Sequence, residues 1–461
     1  MVGSEVKRKG IAIFLFRRDL RLYDNTGLIA ALENHENVIP IYILDEYLLN
    51  NPNLSLNATQ FIRESLHDLA NQLFAHKGIL IIFKGKPLQI IEKLLNNLEL
   101  KVSSLIFNRD YTPYALRRDS KILELCKRYK VEVIQYSDLL LNEPESVLKS
   151  NGQPYTIFTP YYRNASQKVV KRPTANKSTN YFTESIENDL SSFIDKEINF
   201  HNNSIEIKGG REQALDILQN IQKFQNYSID RDFPSIQGTT RLSAHLKFGT
   251  VSIREVYHVI KNESIKSLLR QLYWREFYIH IGYHFPHVFN NSFNQKYNNL
   301  DWSYDKKTFH SWCEGNTGFP IVDAGMRELN QTGYMHNRIR MIVASFLTKD
   351  LLIDWKWGEK YFAKKLIDFD ISINNGNWQW AASTGTDAQP YFRIFNPWLQ
   401  QKKFDKDCIY IKKYIPEITH LSPREIHNLD KKRPSNLSNY PKPIVDHKKV
   451  RNTAIIMFKN I

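Results

Sequence analysis

Two hydrophobic periods alternate in the first third of the chain. Short continuous apolar runs occur at Ile11–Phe16, Val38–Leu44, Gly78–Phe83, Ser104–Asn108 and Val131–Gln135. Amphipathic stretches such as Thr59–Ala75 and Ile90–Leu98 lie between them. Strands without polar alternation are buried on both faces, and the helical stretches supply the cover. The pattern therefore predicts a parallel α/β sheet of Rossmann-like type. No GxGxxG follows the first run, so no dinucleotide fingerprint accompanies the sheet. From about Leu141 to Lys208 the pattern decays. Pro144, Pro154, Pro160 and Pro173, among many Asn, Ser and Lys, mark a long connection. Beyond Gly209-Gly210 helical periods dominate to about Trp398. Ser422–Ile461 is rich in Lys, Pro and Asn, with one last short helix. The expected organisation is an α/β domain over 1–140, a connection over 141–208 and an all-α domain over 209–461, without internal repeats.

Composition narrows the function classes. Among 461 residues, 42% are hydrophobic and 13% aromatic, with eight Trp, 24 Tyr and 26 Phe. That suits a globular protein, with either a heavy core or rings that stack on planar ligands. The formal charge of +15 favours a polyanionic partner, nucleic acid before an anionic membrane, although a Lys-rich solvated surface gives the same number. Cys126, Cys313 and Cys408 are far apart and form no CxxC, so neither a disulfide framework nor a zinc site is expected. The opening MVGSEVKRKG is charged, and the apolar run after it breaks at Arg17. No signal peptide is expected, nor any run of the ~18 apolar residues that cross a membrane. A cytoplasmic monomer, nucleoid-associated if the cell is prokaryotic, is the expected setting.

Four constellations carry candidate chemistry. In GTTRLSAHLKFGTVSIREV (238–256), hydroxyls precede a helix start and Ser252-x-x-Glu255 has the form of a capping box. Free N–H groups at such a start bind anions, though plain capping explains the same residues. In RQLYWREFYIHIGY (270–283), Gln271, Trp274, Arg275 and Tyr278 share a helical face opposite Leu269, Leu272, Tyr273 and Phe277. An amide, an indole and a guanidinium on one face suit a planar polar ligand, or an ordinary amphipathic helix. In HNRIRMIVASFL (336–347), Asn337, Arg340, Met341 and Ala344 share a face, and Arg340 is a cation available to a carboxylate or phosphate. In DFDISINNGNWQWAAS (368–383), Asp368 and Asp370 precede three asparagines and two tryptophans. Two acids are too few for a metal, and no nucleophile motif accompanies them.

Several longer motifs carry a resemblance. TTRLS (239–243), WREFY (274–278), GFPIVDAGMREL (318–329), MHNRIRMIVASFLTKDLLIDW (335–355) and NNGNWQWAASTGTDAQPYFRIFNP (374–397) resemble the flavin domain of the cryptochrome/photolyase family. FLFRRDLRLYDN (14–25) resembles its first strand and loop, and YPKPIVDHKKVR (440–451) its closing segment. The matches run in the family's order along nearly the whole chain.

The resemblance implies an α/β antenna domain and a helical domain holding FAD, with reduced FADH⁻ as the active form. A second chromophore (deazaflavin, folate or flavin) is implied for the antenna domain. Tyr227 and Thr239, Thr240, Arg241, Leu242 and Ser243 would hold the FAD phosphates. Arg340 and Asp368 would pair beside the ring system, Asp370 would meet its polar edge, and Asn374 would face N5, as in photolyases. Trp378, Trp355 and Trp302 match an electron path from flavin to surface. Trp274, Trp380 and Met341 match a cavity for a flipped pyrimidine dimer in UV-damaged DNA. Gln271 stands where cyclobutane-dimer enzymes carry Glu. Arg231, Arg275, Arg338, Arg393 and Asn337 match positions near the damaged strand. The implied activity is light-driven repair of cyclobutane dimers; a blue-light receptor and (6-4) photoproduct repair are the alternatives.

Overall fold

Five parallel strands lie in the order β3-β2-β1-β4-β5. They are β1 Lys9–Phe16, β2 His35–Asp45, β3 Ile81–Gly85, β4 Val102–Asn108 and β5 Glu132–Tyr136. They belong to a computed structural model that describes residues 9–461 apart from 185, 188, 192, 193 and 436. Residues 1–8 of the charged opening lie outside the described residues. Each apolar run overlaps one strand. Alternate residues face opposite sides, so Ile13, Leu15, Ile39 and Phe107 build one core layer and Ala12, Phe14, Val38 and Ile106 the other. Helices Thr26–Asn34, Leu56–Ala75 and Pro113–Arg128 cover the faces. Each starts on a side chain that accepts a backbone N–H: Asn25 from Leu28, Ser55 from Ala58, and Thr112 from Ala115.

No further strand occurs among the described residues after β5; helices build the rest. Residues 141–208 are woven into both parts. Phe158, Tyr161 and Ala165, on helix Phe158–Ala165, pack with Tyr273 and Phe277 in a helical core. Tyr181, Ile198, Ile205 and Ile207 pack on the sheet with Phe61 and Leu73.

The strand order reverses between β1 and β4, which opens a crevice at their C-terminal ends. There the α/β part meets the helical part. Arg21 pairs with Asp138 at 2.6 Å, and Arg254 with Asp24 at 2.8 Å and Asp138 at 2.7 Å. All four side chains are buried. Removing one member would strand a charge in the interior, so this quartet fixes how the two parts meet.

Glu276, on helix Lys266–His284, accepts from the Leu141 N–H and the Asn142 amide at the same seam. Burial raises its carboxyl to about 7, against the opposing pull of the Leu141 N–H, Arg275 and Asn142. A carboxyl raised by folding stabilises the fold below its unfolded value and loses that contribution as pH rises through the folded one. Glu276→Gln should therefore gain on wild type by about 3 kcal/mol as pH rises from below 4.5 to above 7. Urea melts at low and high pH check this; an unchanged difference would contradict it.

Candidate cofactor and substrate site

Helix Ile371–Ala382 starts at Asp370, whose Oδ1 accepts from the N–H groups of Ser372 (3.0 Å) and Ile373 (3.2 Å). Its other oxygen lies 2.5 Å from Arg18 Nη2 and 3.5 Å from Lys247 Nζ. Burial alone would raise the Asp370 carboxyl, but Lys247, Arg18 and Arg275 hold it well below the usual carboxylate range. Burial in turn pushes Lys247 down to about 8. Arg18 belongs to the loop after β1, so the α/β part anchors the start of this helix.

Arg340, on helix Asn337–Ser345, pairs with Asp368 at 3.0 Å, and its Nε donates to the Met335 carbonyl at 2.8 Å. Burial lowers the Arg340 guanidinium pKa, but Asp368 and Tyr334 more than offset that, and the net effect is upward. One turn beyond Asp370, the Asn374 amide donates to the Glu359 carbonyl at 3.1 Å. The neighbouring Asn375 amide donates to the Glu359 carboxylate at 2.8 Å. Burial raises that carboxyl to about 7.

Tyr227 is buried, with the Arg231 guanidinium 5.4 Å from its ring centroid. Thr240 Oγ1 accepts weakly from Leu242 N at 3.5 Å. Arg241 has φ 54°, a left-handed conformation, and its guanidinium pairs with Glu206 of the connection. The helix Ser243–Phe248 begins with no side-chain cap, and Ser243 is exposed. The expected capping box at Ser252 and Glu255 is present on helix Ile253–Asn262. His336 Nε2 is buried without a partner among the described residues, in the field of Arg241, Arg338 and Arg340.

Trp378, Trp355 and Trp302 are 2%, 1% and 7% exposed, so the third is the least enclosed. Trp378 packs edge-on to Phe362 at 5.0 Å. Helix Trp355–Lys365 approaches it at Gly358, where any Cβ would overlap the indole. Trp302 meets Phe458 of the last helix, His447–Lys459, at 6.1 Å. Trp312 was not anticipated. It is buried 6.1 Å from Trp378 and donates to the Val343 carbonyl at 3.1 Å. In sequence its spacing with Phe309 and Cys313 signals only core.

Trp274 and Trp380 are both half-buried, on helices that cross closely because Gly376 of one meets the Tyr278 ring of the other. Gln271 is half-buried, and its amide donates to the Ser267 carbonyl at 3.2 Å. Asn337 is exposed, with its amide 3.8 Å from the Met341 sulfur. Arg393 is exposed in the loop after the Trp380 helix. Arg338 is tied to Asp232 at 2.6 Å and lies over Phe404. Arg275 is turned inward. Its guanidinium donates to the carbonyls of Leu139 (3.0 Å) and Leu246 (3.2 Å), and it lines a small interdomain cavity with Arg18, Asp110 and Asp370. This differs from the DNA contact expected for it: one Nη donates across the seam to Leu139 and the other to Leu246 of the helical part, so the side chain joins the two parts. Among the described residues no three His, Cys, Asp or Glu side chains cluster to hold a metal, and no helix is long and apolar enough to cross a membrane.

Comparison with known proteins agrees with this architecture. A family model described as DNA photolyase matches residues 12–178, and one described as the FAD binding domain of DNA photolyase matches residues 268–460. A deoxyribodipyrimidine photo-lyase of Alkalihalophilus pseudofirmus is 38% identical, over 96% of this chain and 97% of that one. One from Escherichia coli is 36% identical, over 96% and 97%. Among solved structures, an archaeal photolyase from Sulfolobus tokodaii with two FAD molecules superposes with a TM-score of 0.87 at 39% identity, covering 98% of this chain and all of that one. A bacterial class III photolyase from Agrobacterium tumefaciens gives 0.91 at 34% identity, covering 100% and 99%. With relatives of this identity matched almost end to end, and both halves matched in order, the chain belongs to the DNA photolyase family.

Proposed function

We propose that the chain repairs cyclobutane pyrimidine dimers in DNA, driven by light and using reduced FAD. The observation that carries this reading is the arrangement on one helix. Ile371–Ala382 opens on Asp370, carries Asn374 on its inner side, buries Trp378, and leaves Trp380 half-buried beside the Trp274 helix.

The residues present suit a flavin dinucleotide. The uncapped start at Ser243 offers N–H donors to phosphates, together with Thr239 and Thr240. The unpartnered His336 Nε2 beside three arginines marks a polar, cationic interior that the protein alone leaves unsatisfied. When bound, the reduced flavin supplies a light-excited electron to the dimer and takes it back, with no net redox change. The protein sets the conditions. Arg340, neutralised in part by Asp368, and the Asn374 amide, fixed through the Glu359 carbonyl, favour a negatively charged ring system.

On the substrate side, Trp274, Trp380 and Met341 wall a cavity for a dimer turned out of the helix. Damaged, poorly stacked bases cost less to extract. Gln271 donates an N–H to a dimer carbonyl but cannot share a proton with it. Arg231 and Arg393 meet phosphates, which supply affinity without reading sequence. Arg275 serves the domain seam instead. A light-harvesting chromophore in the α/β part belongs to the same reading, and the two FAD molecules of the Sulfolobus relative support a flavin there.

The test is repair of a defined thymine-dimer oligonucleotide by chemically reduced protein, in light and in darkness. Repair should require light. Trp380→Ala should weaken dimer binding about tenfold while leaving flavin absorption unchanged. Dimers left intact by fully reduced, FAD-loaded protein in light would overturn the proposal.

A further inference from the structure

We infer that Phe158, a residue of the connection, is the positioning residue that sets the plane of Trp274. The inference rests on the reading of Trp274 as a wall of the lesion cavity. The two rings lie 3.6 Å apart between centroids with only 8° between their planes. Free aromatic pairs prefer offset or edge-on arrangements with centroids about 4.5–7 Å apart. Near-complete overlap at this distance is held in place by the surroundings, and the surroundings are visible. The Phe158 N–H donates to Asp387 Oδ2 at 3.1 Å, and Thr386 Oγ1 donates to the Thr156 carbonyl. Tyr162 stacks on Phe158 at 5.8 Å and 16°, and Phe277 meets it edge-on at 5.7 Å.

Phe158 is 1% exposed, whereas Trp274 is half-buried. The Phe158 ring covers one face of Trp274, so a base stacking on this indole must meet the other. Thr386 and Asp387 lie just past Ser383, the left-handed residue that ends the Trp380 helix. The same two hydrogen bonds thus tie the backing of Trp274 to the segment that follows Trp380, and the connection holds both walls of the cavity at a set spacing. A wall free to rock would lose ordering entropy on each binding event; a backed wall has already lost it.

A double-mutant cycle tests this. Phe158→Leu keeps an apolar side chain and removes the ring, and Phe158→Met, unbranched and more adaptable in packing, runs the same cycle where the leucine variant does not fold. Binding of a thymine-dimer oligonucleotide and its undamaged counterpart is measured in darkness on FAD-loaded protein, with the flavin absorption spectrum alongside. Dimer affinity should fall about three- to tenfold, with undamaged-DNA affinity and the spectrum unchanged. Trp274→Ala should lower dimer affinity further, and the Phe158 change should add nothing in that background. A full additive loss in the double variant, or an equal loss for undamaged DNA, would overturn the inference. Unchanged dimer affinity in Trp274→Ala would instead withdraw the lesion-wall reading, and this inference with it.

Discussion

Trp378→Phe should slow light-driven reduction of bound oxidised FAD by about tenfold or more, equivalent to at least about 1.4 kcal/mol on the barrier. Repair by protein reduced beforehand should stay close to wild type. The two outcomes separate because Trp378 lies inside and Trp380 at the rim, two residues apart on one helix. Phenylalanine fills much of the same space against Phe362 but is far harder to oxidise than indole. The buried Trp378 Nε1 has no acceptor among the described residues. Transient absorption after a blue pulse, on variants that retain FAD, checks the first part, and a dimer-repair assay after dithionite reduction checks the second. Equal defects in both assays would mean that Trp378 serves the site by packing alone. Truncation to Phe opens space beside Gly358, so a loss of about 1–2 kcal/mol of stability accompanies the change and is measured separately.

The fold was legible where hydrophobic period and capping agree. Continuous apolar runs located all five strands, and Ser252 with Glu255 marked a helix start. The strand order was not legible, because parallel strands pair through crossovers whose partners no local pattern specifies. The connection was the least legible stretch. Prolines and polar residues hid the helix Phe158–Ala165, whose apolar residues are few and match neither period over a long enough window. Its role comes from what it touches, Trp274 and Phe277, and not from its own sequence.

The site divided in the same way. Motif matches named Arg340, Asp368, Asp370 and Asn374, and Arg340 and Asp368 do form an ion pair. The residues that hold these groups went unread: Lys247 at Asp370, Glu359 behind Asn374, and Trp312 against Trp378. Each acts by a tertiary contact with a residue at least ten positions away, which spacing along one helix does not report. Arg275 shows the converse. Its helical face, shared with Gln271 and Trp274, suits a planar polar ligand, and the resemblance placed it near DNA, yet the Leu139 carbonyl across the seam and the Leu246 carbonyl of its own part hold its guanidinium inward.

Arg18→Met should cost about 3 kcal/mol of stability near neutral pH and release FAD from the helical part, although Arg18 lies in the α/β part. Arg18 donates to Asp370 at 2.5 Å, to Asp110 at 3.2 Å and to the Lys247 carbonyl at 3.1 Å. Methionine keeps the apolar stem and removes all three. Of its ion-pair partners among the described residues, Asp370 then keeps Lys247 at 3.5 Å, a cation that burial already pushes down to about 8. The sign of the pH effect follows from the depressed Asp370 carboxyl. A carboxyl lowered by folding stabilises the fold above its unfolded value, and that contribution is lost as pH falls through the folded one. Without Arg18 the Asp370 carboxyl rises, so the deficit should be full near pH 7 and shrink at pH values below about 4. Asp370 also caps the helix that carries Asn374, Trp378 and Trp380, so loosening it frays the first turn of that helix. Chemical melts at several pH values measure the first effect, and flavin retained after gel filtration measures the second. Full FAD retention in a variant with the expected loss of stability would confine Arg18 to holding the domains together. An unchanged melt would show that Lys247, Arg275 and the two helix N–H groups satisfy Asp370 without Arg18, and that the α/β part does not set the flavin helix through this contact.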